Sequence, residues 1–116
     1  NIGGLLSKQF FLMKNNIKPI WEDDLNKHGG CWSFKVNVCQ ADELWNELSV
    51  LIVCEELLND HNDNITGISI CLKKNNNCVV KIWNQNSKNN SINLINHSIL
   101  EKWGTDLIYI AHMSNK

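Results

Sequence analysis

With 116 residues and 13.3 kDa, the chain accommodates a single domain, residues 1–116, built around one hydrophobic core. Eleven basic against twelve acidic side chains leave a formal charge of -1, which argues against a general polyanion binder, since that needs a basic stripe and a high pI. Five tryptophans in so short a chain are its outstanding feature.

The five cysteines (Cys31, Cys39, Cys54, Cys71, Cys78) are odd in number and contain no CxxC pair. That usage fits a reducing compartment better than a disulfide framework. No apolar run reaches bilayer length, and no signal peptide is visible at Asn1. The chain begins without methionine and is expected to be a fragment or the ordered part of a longer protein. The abundant asparagines, at 75–77 and through 84–90, read as compositional bias filling loops.

In chain order, KQFFLMK (8–14) predicts a short strand and Asn15-Asn16 a turn. Pro19 holds the approach to Trp21 extended. Gly29-Gly30 launches CWSFKVNV, which places Trp32, Phe34, Val36 and Val38 on one face and Cys31, Ser33, Lys35 and Asn37 on the other. The second, polar face could line a groove. Residues 41–58 predict a helix with Asp42 and Glu43 in its first turn, where the dipole favours acids. Leu44, Trp45, Leu48, Leu51 and Ile52 form its core stripe, while Val50, Val53 and Leu57, with Asn46 in line, fall nearly opposite. A helix apolar on two sides is either sandwiched by a neighbour or carries a partner surface.

GISICLK (67–73) alternates, with Ile68, Ile70 and Leu72 inward and Ser69, Cys71 and Lys73 outward. CVVKIW (78–83) completes a hairpin, its Val79, Lys81 and Trp83 sharing the outward face. Residues 91–103 read as a second helix stopped at Gly104, and DLIYIAH as a closing strand. The order β, β, α, β, β, α, β predicts an α+β fold: a mostly antiparallel sheet with helices on one face.

Chemistry in the sequence is sparse. Cys31 near His28 is the only local hint of a thiol enzyme, and it lacks a third group to orient the histidine. The cysteines and histidines show no metal-ligand spacing, and His61, His97 and His112 read as surface or packing residues. Neither a metal, a cofactor nor catalysis is expected. The stretch IWEDDLNKHGGCW (20–32) is different, because a large aromatic followed by three acids in a loop calls for a reason. Trp21 could plug the core edge above solvated acids. Alternatively, it offers a π-face to a flat cationic ring, with Glu22 supplying in-plane acceptors suited to guanine's N1–H and exocyclic amine. Lys73 and Lys81, on adjacent strands and the same face, would then receive phosphates.

IKPIWEDDLNKHGGCW (17–32), DELWNELSVLIVCEEL (42–57), the strand from Gly67, KIW (81–83) and ILEKWG (99–104) together resemble the eukaryotic translation initiation factor 4E family, which binds the 7-methylguanosine cap of mRNA. The resemblance covers nearly the whole chain in order and approximate spacing. It implies a curved sheet with long helices on its convex back and the cap in its concave front. By resemblance, Trp21 stacks on the methylated guanine, Glu22 reads its edge, Trp83 contacts the methyl group, and Lys73 (or its neighbour Lys74) meets the phosphates. On the back, Asn46, Glu47, Val50 and Val53 match the surface that takes a helical peptide of a scaffold factor 4G or of competing repressors. Trp32 and Trp45 are expected to be structural.

Departures from the family pattern accompany the match. The family's second stacking tryptophan and its first long helix lie in an N-terminal segment that the given sequence does not include, and the sequence stops before the family's last loop and strand. A phosphate-binding basic residue of the family falls at Val79, an arginine falls at Cys31, and Lys81 could take over the lost charge. The implied function is cap binding and recruitment of a scaffold factor in the cytoplasm to start translation. The alternative is a translation regulator of the same fold with weak or altered cap binding.

Overall fold

The structure, a computed structural model, describes residues 9–14, 17–59, 65–73 and 75–113. The expected turn at Asn15-Asn16, His61 and Lys74 lie outside the described residues. Five strands, β1 (Gln9–Met13), β2 (Gly30–Asn37), β3 (Ile65–Leu72), β4 (Asn77–Asn84) and β5 (Ile108–Ala111), form one curved antiparallel sheet in the order β1-β3-β4-β2-β5. Two helices, α1 (Val38–Val53) and α2 (His97–Trp103), complete the α+β fold. The strands follow from period-2 patterning, which buries Trp32, Phe34, Val36, Ile68, Ile70, Val80 and Ile82 on one side of the sheet. α1 lays Ala41, Leu44, Leu48 and Ile52 onto that face and contacts β2, β3 and β4. The opposite, concave face carries the other side-chain set of each strand.

α1 differs from expectation at both ends. β2 stops at Asn37, whose side chain caps the helix by accepting from Cys39 N at 3.0 Å. Val38 therefore begins the helix instead of ending the strand, and Asp42 and Glu43 fall beyond the first turn. Glu43 and Glu47 instead pair with Lys102 of α2. At the other end, Glu55 adopts φ 58°, and the Glu55 and Glu56 amides close on the Ile52 and Leu51 carbonyls. This is a Schellman closure with glutamate where glycine is usual. It ends the helix at Val53 and turns Leu57 into the core, so Leu57 does not join Val50 and Val53 on the outer side.

The second predicted helix is broken rather than continuous. A 3-10 turn (Ile92–Leu94) is capped by Ser91, Ile95 is extended and bridges Leu58, and Asn96 caps the seven-residue α2. Asn59 holds the break by donating to the Asn93 and Ile95 carbonyls, while Asn96 donates to Glu56 O. Of the two helices only α1 is long. Trp32 is fully buried, donating through Nε1 to Ser91 O at 3.1 Å, and Trp45 is half-buried at the core's edge.

The asparagines are more than loop filler. Asn75 and Asn76 both take left-handed φ, near 60°, in the β3–β4 hairpin, a conformation asparagine tolerates better than most residues. Asn84 is wholly buried: its Oδ1 accepts from Gly30 N and Tyr109 Oη, and its Nδ2 donates to Asn86 O and Asn89 O. A Cβ at Gly29 would overlap the Asn84 carbonyl, and one at Gly30 the Ile110 carbonyl, so the glycine pair is required by close approach. Replacing Asn84 by alanine strands the buried Gly30 amide and three half-buried partners, and a buried group left unsatisfied costs ~1–3 kcal/mol. Asn84→Ala is expected to lower unfolding free energy by at least ~3 kcal/mol in urea titration, and a loss under ~1 kcal/mol would contradict the role.

Candidate functional site

The loop 17–29 enters β2 at the end of the sheet where Cys31 pairs with Trp83 and the Gly29 carbonyl accepts from His112 N. Its shape comes from its own polar residues. Buried Asn26 donates through Nδ2 to the carbonyls of Lys18 (3.0 Å) and Ile20 (2.9 Å), clasping the backbone on both sides of Pro19. The Asp23 carboxylate accepts from Lys18 N and Leu25 N, and Asp24 pairs with Lys27 at 3.2 Å. Two of the three consecutive acids are thus occupied within the loop. Glu22 is exposed and makes no hydrogen bond or ion pair with a described residue, while Trp21 beside it is 45% exposed. A ring half open to solvent is not a core plug.

Trp83 sits on the concave face, where its Nε1 donates to the buried hydroxyl of Ser69 at 3.0 Å. Phe11 meets it edge-on with ring centroids 6.3 Å apart, and the His112 ring lies 5.2 Å away, tilted by 51°. Only 7% of Trp83 is exposed, so an incoming group reaches its rim rather than its full face. Lys73 and Lys81 share with Trp83 a small hollow bounded by Gln9, Ser69 and Cys71. Lys73 follows β3 instead of belonging to it, its amide donating to Asn77 O. Ser69 and Cys71, expected outward, are largely covered by this packing.

On the helix side, Asn46, Glu47, Val50 and Leu51 of α1 meet Ser98 and Ile99 of α2 in a groove of about 400 Å³. Val50 is 61% and Val53 77% exposed, so the outer stripe of α1 lies in solvent. Glu47 is held at 3.1 Å by Lys102.

His112 packs on Trp83 as a packing residue, but its contact with Cys31 escaped the sequence reading because the two are 81 residues apart in the chain. The histidine beside Cys31 is His112, at 3.8 Å from Sγ to Nε2, and not exposed His28. Burial pushes the Cys31 thiol up to about 12, with the Lys81 ammonium only partly offsetting it. Burial, and then Lys81, lower the pKa of His112. A buried thiol held protonated is a poor nucleophile, so no thiol chemistry follows from this pair. All five cysteines are free. Among the described residues no helix is long and apolar enough to cross a membrane.

These shifts give a signed expectation. The folded state keeps the Cys31 proton that an unfolded thiol loses above its ordinary value of 9.0, so stability falls as pH climbs from there towards 12. In folded protein at pH 8, iodoacetamide should modify exposed Cys39 and Cys54 and spare Cys31, read by peptide mass. Modification of Cys31 at the rate of Cys39 would contradict its burial.

A sequence model described as Eukaryotic initiation factor 4E matches residues 5–115. Eukaryotic translation initiation factor 4E1 of Drosophila melanogaster is 33% identical over 87 residues, covering 72% of this chain and 32% of that protein. Eukaryotic translation initiation factor NCBP of Triticum aestivum is 29% identical over 76 residues, covering 66% of this chain. The matched stretch spans about a third of the length of these relatives. Among solved structures, C. elegans eIF4E-3 in complex with the 4E-binding protein Mextli superposes with a TM-score of 0.75 at 28% identity, covering 90% of this chain and 64% of that one. Ascaris suum eIF4E-3 in complex with m7G cap gives a TM-score of 0.73 at 26% identity, covering 92% and 63%.

Proposed function

The chain belongs to the eukaryotic initiation factor 4E family, and from that premise we propose that it binds the 7-methylguanosine cap of mRNA on its concave face and a helical peptide on its back. The observation that carries the reading is the loop 17–29, which is braced by Asn26 and Asp23 yet leaves neighbouring Trp21 and Glu22 unengaged by any described residue. A rigid loop presenting an open aromatic beside an unpaired carboxylate suits a flat cationic base. The ring stacks, for about 1–3 kcal/mol per base, and the methylated guanine's delocalised charge adds a cation-π contribution of ~0.5–2 kcal/mol. Glu22 accepts from the guanine N1–H and exocyclic amine. Trp83 offers its rim to the methyl group, and Lys81 and Lys73 take the phosphates. The structural relative from Ascaris suum, which holds an m7G cap, supports this assignment. The activity is binding without catalysis, located in the cytoplasm.

The groove beside α1 suits an amphipathic helix laid against Val50 and Val53, with Asn46 and Glu47 at its polar border. The occupant is a peptide of a 4G-like scaffold or of a competing repressor, and the C. elegans relative bound to a 4E-binding protein supports that reading. A regulator with weak cap binding is the second reading. It is favoured by Val79 and Cys31, which put no charge where the family pattern has basic residues. Fluorescence titration with 7-methyl-GTP against GTP separates the two: clear preference for the methylated ligand supports the first, and equal weak binding the second.

Trp21→Ala should fold normally and lose retention on 7-methyl-GTP resin, a loss of at least ~1–3 kcal/mol. Glu22→Gln should weaken binding to a similar degree, because a donor then faces the guanine donors. Wild-type retention by either variant would sink the assignment of that residue. On the other face, Val53→Asp should keep the melting temperature and cap affinity and abolish capture of a 4G-type peptide, since surface changes away from the core cost little stability. Unfolding of that variant would mean the outer stripe is core.

A further inference from the structure

The concave face holds more cationic side chains than the family resemblance assigns. In the β2–β4 register Lys35 lies opposite Val79 and Ser33 opposite Lys81. Cys71 flanks Val79 on the other side, and Lys73 follows β3 level with Asn77. Three lysines from three neighbouring chain segments therefore surround the apolar Val79. Ser33, Lys35, Lys73, Val79 and Lys81 line one groove of about 560 Å³, in which Asp106 is the one lining carboxylate among the described residues.

None of these lysines makes an ion pair with a described residue, whereas Lys14, Lys27 and Lys102 do. Three ammonium groups against the single carboxylate of Asp106 leave a net repulsion, which an anion in the groove relieves. A second observation points to the same place. The Ser33 hydroxyl, in a residue only 8% exposed, lines the groove and has no hydrogen-bond partner among the described residues. A buried donor without a partner is costly, and a phosphate oxygen would satisfy it.

We propose that Lys35, with Lys73, Lys81 and Ser33, forms a binding path for a chain of phosphates along the concave face. Lys35 replaces, from the neighbouring strand, the charge that position 79 lacks. Moving away from Trp83, Lys81 comes first, Lys35 one two-residue step further and Lys73 another. At ~3.3 Å per residue the rows span ~13 Å, more than a single phosphate occupies. The path deepens the cap-binding reading and rests on it only for where the base lies. Its ligand is a phosphate chain, whether the triphosphate bridge of a cap or the first phosphodiesters of the attached RNA.

The test compares the full chain with Lys35→Ala, Lys35→Gln and Lys35→Arg, after thermal melting has shown each folded. Binding is measured for 7-methyl-GMP, 7-methyl-GTP, a capped trinucleotide and inorganic tripolyphosphate at low and high salt. The alanine and glutamine variants should weaken 7-methyl-GTP and tripolyphosphate about five- to tenfold, as one lost charge-assisted contact implies, with 7-methyl-GMP changed less than about twofold. Arginine should restore binding, and the loss should shrink in high salt. A greater loss for the trinucleotide than for 7-methyl-GTP assigns Lys35 to the phosphodiesters, and an equal loss to the triphosphate. Unchanged binding of 7-methyl-GTP, tripolyphosphate and the trinucleotide in the variants, an equal loss for 7-methyl-GMP, or no tripolyphosphate binding by wild type overturns the proposal. Lys35-dependent tripolyphosphate binding by a wild type that ignores 7-methyl-GMP would keep this path and reject the base-recognition reading.

Discussion

The end of the molecule that carries Trp21 and Glu22 depends on one buried amide. Asn84 ties the start of β2 through Gly30, β5 through Tyr109, and the loop 85–91 through the carbonyls of Asn86 and Asn89. A side chain with both donors and acceptor engaged in a water-free setting has one orientation, which makes it a rigid joint. The glycine pair exists because this joint leaves no room for a Cβ. The loop bearing Trp21 and Glu22 hangs from that pair. Its own clasp, Asn26 across Lys18 and Ile20, transmits the rigidity to the exposed aromatic.

The two faces of the sheet then divide the labour. The convex side is closed by α1, whose buried stripe of Ala41, Leu44, Leu48 and Ile52 fills the core and leaves Val50 and Val53 outside. Among the described residues no α-helix packs on the concave side, so Lys35 and Lys81 share an open surface that also holds Trp83. Near-zero net charge for the whole chain is compatible with such a locally cationic face, because four of the acids are engaged elsewhere: Asp23 and Asp24 inside the loop, Glu43 and Glu47 on Lys102. Pairing the acids away from the groove concentrates its field.

Differences between chain and family pattern fall on this same face. Cys31 contributes a buried neutral thiol beside His112, and Val79 a short aliphatic, at positions where the resemblance implies a basic residue. Such a fold can keep its framework while its site chemistry changes, since the framework is set by the buried face and the chemistry by the open one.

The element order, the alternating faces of β2, β3 and β4 and the core side of α1 were legible in the sequence, because each follows from a local period of 2 or 3.6 residues. So was the oddity of Trp21 and Glu22, an aromatic and three acids where a loop needs neither. Helix ends were not legible. Asn37 could be read as strand or cap, and only the left-handed turn at Glu55 decides that Leu57 faces inward. The break at Ile95 and Asn96 depends on Asn59 and Leu58, some 36 residues away in the chain. Likewise Glu22 is distinguished from Asp23 and Asp24 only by what the folded loop leaves unpaired. Lys35, Ser33 and His112 acquire meaning through cross-strand register and long-range packing, which tertiary structure alone specifies.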